Sequence, residues 1–197
     1  MDRKQRKKLY PRMRKIAVVI PSHNEPNIQQ FVEEIDAQID PTQIVVCNDR
    51  YGRGKGYALR EALAEADADY YLFIDGDGDI QPDQIHNLLY WCERFDIVVG
   101  KKELPHRWDR KILTYLSRLW IKWLFGIIID TQTGVKIFNY KPNWKTDGWA
   151  YDIEILYRAK LAKTMMETPV HATVSSGKSL RDILSTFIDT IKIRMSL

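Results

Sequence analysis

The chain has 197 residues, 45% of them hydrophobic, which suits one globular domain with a full core and excludes disorder throughout. No apolar run reaches the length of a membrane-spanning helix, and the N-terminus is too basic to be a secretory signal, so a cytoplasmic location is expected. Charge is uneven: residues 1–15 hold eight Lys/Arg and one Asp, a net of +7 against +4 for the whole chain, so the remainder carries −3. Residues 1–14 therefore read as a basic tail, attracted to a polyanion such as an anionic membrane surface or nucleic acid, or merely solubilising.

Residues 15–20 read as a buried strand ended by Pro21-Ser22-His23-Asn24-Glu25, after which Ile28, Phe31, Val32 and Ile35 recur at helical spacing. A second strand, 43–47, ends at Asn48-Asp49 and leads to an Ala/Leu-rich helix over 57–66. Between them, Gly52, Gly54 and Gly56 flank Lys55. This segment fails the Rossmann fingerprint at Tyr57 and the Walker pattern at Gly56, yet a lysine at a helix start can still approach a diphosphate. Gly177-Lys178-Ser179 fails the Walker test at Ala172.

The third strand, 70–74, runs into Asp75-Gly76-Asp77-Gly78-Asp79. Three carboxylates within five residues repel one another unless a cation lies among them, and hard oxygen ligands suit Mg²⁺ or Mn²⁺. The same residues would also serve an acidic turn, with Pro82 opening a helix over 82–93. An EF-hand is excluded, because Ile80 and His86 stand where its Gly and Glu belong. A fourth strand is expected over 95–99. This alternation predicts an α/β fold with a parallel sheet, whose ligands bind beyond the carboxyl ends of the strands, where Glu25, Asn48, Asp49, Asp75 and Asp77 fall.

Beyond residue 105 the texture changes. Over 108–125, Ile112, Leu113, Leu116, Leu119, Trp120, Trp123 and Leu124 share one broad helical face with Arg110, Lys111, Arg118 and Lys122 interspersed. Over 180–191, Leu180, Ile183, Leu184, Phe187, Ile188 and Ile191 repeat the theme. Such faces pack on a core or lie in a membrane interface, and two in one small chain favour the membrane. Cys47 and Cys92 lack metal-site spacing and read as free thiols.

In order, 18–25, 45–49, 54–59, 73–77, 97–100, 130–136 and Asp152-Ile153-Glu154 resemble the motifs of family-2 glycosyltransferases, over roughly residues 15–180. The branch most resembled contains dolichyl-phosphate mannose synthase and bacterial polyprenyl-phosphate glucosyltransferases. The resemblance implies a glycosyltransferase-A fold, an α/β architecture with a mixed, mainly parallel sheet, flanking helices and C-terminal amphipathic helices. It also implies a nucleotide-diphosphate sugar donor of GDP-mannose or UDP-glucose type and Mg²⁺ or Mn²⁺. The acceptor would be a polyprenyl phosphate attacking with inversion, at a membrane surface the protein touches peripherally and without nucleic acid.

It places Pro21, His23, Glu25, Asn48, Asp49 and Lys55 at the donor nucleotide, and Asp75, Asp77 and Asp79 at the metal. Lys101, Lys102, Arg110, Lys111, Thr114, Lys136 and Lys178 would meet phosphates. Asp152 and Glu154 are candidate catalytic or sugar-orienting carboxylates, and i, i+2 spacing on a helix points them in different directions. Domain limits follow as 1–14 for the tail, 15–178 for the catalytic domain and 179–197 for a C-terminal helix. Departures include Asn48 for Asp, His23 for Tyr, Val174 for Arg, and Lys136 for an Arg, an exchange that keeps charge but loses the bidentate fork. A nucleotidyltransferase of related fold would want a glycine-rich loop with Arg where Pro21–Glu25 stand. A non-catalytic membrane-binding module would leave the strand-end polar residues without a purpose.

Overall fold

The computed structural model describes residues 15–22, 25–49, 52–102, 108–172 and 180–196, side chains at 109, 110 and 180–182 excepted. The basic tail over 1–14, His23, Lys178, the 178/179 boundary and the Arg110 side chain lie outside the described residues.

Six strands form one sheet: β1 (Ile16–Ser22), β2 (Gln43–Asn48), β3 (Tyr70–Ile74), β4 (Ile97–Lys102), β5 (Val135–Phe138) and β6 (Met165–Val170), in spatial order β2-β1-β3-β5-β4-β6. β1 pairs in parallel with β2 and β3, and β4 with β6, whereas β5 runs antiparallel between β3 and β4. The sheet is mixed and mainly parallel, as the resemblance implies, with β5 departing from the wholly parallel order that the alternation alone predicts. Reversal of β5 has a consequence for the site: its first residue, Val135, pairs with Ile74, so the preceding loop arrives at the same rim as Asp75.

Both faces of the sheet are covered, which explains why β1 and β3 are continuously apolar. Ala17, Val19, Tyr71 and Phe73 point into one core with Leu59 and Leu63 of α2 (Lys55–Glu65), Phe125 of α4 (Trp108–Phe125), Ile153 and Leu156 of α5 (Tyr151–Ala159), and Ile193 of α6 (Leu180–Ser196). Ile16, Val18, Ile20, Leu72 and Ile74 point the other way. They meet Phe31, Ile35 and Ile39 of α1 (Ile28–Ile39) and Leu88 and Leu89 of α3 (Ile85–Cys92). A 3₁₀ turn, Pro82–Gln84, precedes α3.

The fourth strand begins two residues later than the 95–99 pattern suggests and runs on to Lys102. Asp96 is drawn out of the ladder by hydrogen bonds from Thr164 and Asn139, while pairing with β6 continues to Lys102 opposite Val170. On α4 the buried positions are Ile121 and Phe125, and Ile112, Leu113, Leu116, Leu119 and Trp123 are exposed. The apolar face read from the sequence is therefore largely turned outward. α6 does the same: it buries Thr186, Thr190 and Ile193 and exposes Leu184, Phe187, Ile188 and Ile191. The two helices meet where the Trp120 and Phe187 rings lie 4.4 Å apart and Trp120 Nε1 donates to Thr190 Oγ1 at 3.0 Å. Among the described residues no helix is long and apolar enough to cross a membrane.

Candidate active site

The rim at the carboxyl ends of β1, β2 and β3 is assembled by short polar contacts. At the end of β1, the Pro21 carbonyl accepts the Gly76 amide at 3.2 Å, which holds the Asp75–Asp77 turn against the first strand. Gly76 is packed tightly there, since a Cβ would come within 2.9 Å of the Ile28 side chain. After β2, Asp49 accepts the Arg53 and Gly54 amides at 2.8 and 2.7 Å, folding the glycine loop back so that α2 can begin at Lys55. Gly54 has φ of 112°, a conformation that side chains disfavour. Glu25 and Asn48 stand at the same ends, after β1 and at the last residue of β2.

Lys55 is the centre of the arrangement. Its Nζ lies 2.6 Å from Asp75 Oδ1, with both side chains largely buried, and it faces the Trp149 and Tyr151 rings at 5.4 and 6.0 Å. Burial works against its ammonium, but Asp75, then Asp152 and Asp77, outweigh that and hold its pKa above the ordinary lysine value. The pKa of Asp77 is raised, by burial first and by Asp75 next, against the Asp79 amide and Lys102. That amide donates to Asp77 Oδ1 at 3.0 Å, and Lys102 Nζ lies 3.6 Å from Asp79 Oδ2.

Gly134, just before β5, supports Asp75 from the other side. Its carbonyl accepts the Asp75 amide at 3.0 Å, and a Cβ there would sit 2.3 Å from Asp75 Oδ2. Only glycine leaves room for the carboxylate.

Asp152 and Glu154 part company. Asp152 is buried beside Lys136, whose Nζ is 3.0 Å from Asp152 Oδ1; this is an ion-pair contact, because that oxygen makes no well-aligned hydrogen bond. Burial raises the Asp152 pKa, opposed chiefly by Lys136 and Lys55. Glu154 instead accepts the Lys145 and Thr146 amides, the Thr146 hydroxyl and Arg158, which hold its pKa below the usual range despite its burial. Of the pair, only Asp152 is in electrostatic reach of Lys55.

Lys136 also donates to the Thr133 carbonyl and is almost wholly buried, on the side of the sheet occupied by Phe73 and Val99. Lys101 pairs with Glu167 at 3.1 Å. Lys111 lies 5.4 Å from the Trp108 ring, and Thr114 is half-buried on α4. Sequence reasoning missed Glu167, Asp130 and Arg118 as a linked set. Glu167 also accepts the Asp130 amide, and Asp130 accepts Arg118 of α4 at 2.9 Å, tying that helix to the loop that carries Gly134. Isolated residues on three distant segments gave no pattern to detect. Trp149 and Tyr151, flanking Lys55, were equally silent.

Among the described residues, no three carboxylate, imidazole or thiolate side chains converge to hold a metal ion. Mg²⁺ and Mn²⁺ do not require such a cage, because one or two carboxylates and a substrate diphosphate can complete the coordination. Asp75 and Asp77 provide hard oxygens of that kind, and Thr133 Oγ1, next to the Gly134 that meets Asp75, is a buried side-chain oxygen without a hydrogen-bond partner. The residues present fit the ion.

The pattern described as Glycosyl transferase family 2 matches residues 43–104, which contain β2, the glycine loop, the Asp75–Asp79 turn and β4. The chain is 27% identical over 169 residues to a dolichyl-phosphate beta-glucosyltransferase of Dictyostelium discoideum, covering 74% of this chain and 52% of that protein. It is 24% identical over 136 residues to an undecaprenyl-phosphate mannosyltransferase of Micrococcus luteus, covering 61% and 51%. The chain thus spans about half the length of these curated relatives. The fold matches glucosyl-3-phosphoglycerate synthase of Mycobacterium tuberculosis, crystallised with Mn²⁺, UDP-glucose and phosphoglyceric acid. That match has a TM-score of 0.77 at 17% identity, covering 100% of this chain and 83% of that one. With its strand-end Asp75-Gly76-Asp77 turn and mixed sheet, the chain has a glycosyltransferase-A fold, and over residues 43–104 it is similar to the family-2 glycosyltransferases.

Proposed function

We propose that this chain transfers a sugar from a nucleotide-diphosphate donor to a polyprenyl phosphate at a membrane surface. The observation that carries the reading is the Lys55, Asp75 and Asp77 constellation at the β1–β3 rim, in a chain whose curated relatives are named for lipid-phosphate acceptors. Glucose is the first sugar to test, from the relative with the broader coverage, and mannose the second.

Asp75 and Asp77 would hold Mg²⁺ or Mn²⁺ together with the donor diphosphate; when bound, such an ion supplies Lewis-acid stabilisation of the leaving group. Lys55 presents a buried ammonium to the same place, and Pro21, Glu25, Asn48 and Asp49 frame the nucleoside side. A phosphate monoester is largely ionised near neutral pH, so its attack needs positioning and charge compensation more than a general base. Lys101 and Lys102, at the end of β4, would supply these, each already held by a carboxylate. Asp152, kept beside Lys136, is the carboxylate placed to orient the sugar or to tune Lys55.

The outward apolar faces of α4 and α6 support peripheral contact with the bilayer. A helix that buries threonines and exposes leucine, phenylalanine and isoleucine lowers its free energy by entering an apolar layer.

The acceptor is tested by transfer of labelled sugar to polyprenyl phosphate and to the free prenyl alcohol. The phosphate should be labelled and the alcohol not, and Lys101→Ala with Lys102→Ala should cut the rate at least tenfold, with donor affinity changed less. Equal labelling of both acceptors, or a full rate in the double variant, contradicts the assignment.

A further inference from the structure

A lysine ammonium and a divalent cation seek the same oxygens of Asp75. Lys55 Nζ already lies 2.6 Å from Oδ1, with the two side chains only 14% and 25% exposed, so little solvent screens the contact. Gly134 closes on Oδ2 so tightly that a methyl group would not fit. The carboxylate is thereby held between a lysine and a backbone turn, and its negative charge is compensated from within the chain.

The neighbouring carboxylates are engaged as well. Asp77 Oδ1 accepts the Asp79 amide, and Asp79 faces Lys102. At the start of α2 the Gly54 amide is taken by Asp49 and the Tyr57 amide by the Asp147 carbonyl, so these two amides are not offered to an incoming anion. The Lys55 side chain is the group there that can change partners, and a diphosphate is the partner its charge would prefer.

We infer that Lys55 acts as an internal counter-cation that couples metal binding to donor binding: it holds Asp75 against a lone divalent ion and yields it when a nucleoside diphosphate takes over the ammonium. Lys55 is thus a positioning residue for the metal site. The inference rests on the donor-site reading above. Linkage makes the coupling reciprocal, so a diphosphate that draws Lys55 away tightens the ion by the same factor as the ion tightens the diphosphate.

Mn²⁺ binding by the full chain, followed by electron paramagnetic resonance of the free ion, tests this with and without UDP or GDP. In the wild type, Mn²⁺ alone binds weakly and the diphosphate tightens it. In Lys55→Gln, Mn²⁺ alone binds about tenfold more tightly, and the diphosphate tightens it about tenfold less. Lys55→Arg, which keeps the charge, stays close to the wild type. Unchanged Mn²⁺ affinity in Lys55→Gln, with diphosphate-dependent binding retained, overturns the counter-cation role and leaves the donor site standing. Failure of either diphosphate to promote Mn²⁺ binding in any variant overturns both. Should Lys55→Gln not fold, the wild-type Lys55 ammonium is followed by ¹⁵N NMR: Mg²⁺ alone should leave its resonance in place, and Mg²⁺ with diphosphate should move it. A shift with Mg²⁺ alone overturns the inference.

Discussion

Asp152 and Glu154 stand two residues apart on one helix, and their surroundings give them different work. Glu154 gathers two backbone amides, a hydroxyl and a guanidinium, which anchors the 145–148 loop; that loop in turn packs on the glycines at the start of α2. Replacing it by Gln turns an acceptor-only group into one with an amide donor facing donors, so Glu154→Gln should cost about 2–3 kcal/mol near neutral pH. Because its folded pKa lies below the ordinary value of 4.5, its contribution is present above that value and is lost as pH falls through the folded pKa. Urea unfolding of both proteins should therefore show a gap near neutrality that closes in acid. A pH-independent gap, or none, contradicts this role. The sequence could narrow the choice to these two carboxylates but not decide it, because the deciding partners lie in an irregular loop. Lys136 was similarly opaque: its burial beside Asp152 follows from the orientation of β5, which a four-residue strand does not announce.

At the level of elements, the βα units, the strand ends and the two amphipathic helices were legible from periodicity. What periodicity could not tell is on which side of a helix the core lies. On α4 the buried contacts come from Ile121 and Phe125, and on α6 from Thr186, Thr190 and Ile193, so the richer apolar faces look outward. Ile188 is 44% exposed and Leu116 55%, so Leu116→Glu with Ile188→Glu should change folding stability by less than about 1 kcal/mol. The same pair should reduce co-sedimentation with anionic lipid vesicles several-fold, because each places a charge in the apolar layer. Intact vesicle binding by a normally folded double variant would mean that these faces serve another contact. A large loss of stability would mean that they belong to the core.

For the whole molecule, the reversed strand β5 explains why distant segments share one site. It brings Gly134 to Asp75 and carries Lys136 beneath the sheet to Asp152, while β3 and α2 bring Asp75 and Lys55 together. The alternating pattern announced β1 to β4, but neither β6 nor the pairing of β5, which has no local signature beyond four buried residues. The central claim is that this assembled rim moves a sugar onto a lipid phosphate with help from a divalent ion. Its most direct measurement is mass analysis of the extracted lipid after incubating the full chain with polyprenyl phosphate, Mg²⁺ or Mn²⁺, and UDP-glucose or GDP-mannose, beside Asp77→Asn and a chelated control. The account predicts a polyprenyl phosphate heavier by one hexose with one of the donors, at least a hundredfold less in Asp77→Asn, and none with chelator. A lipid of unchanged mass with every donor, or as much product from Asp77→Asn or from the chelated enzyme as from the untreated wild type, would contradict it.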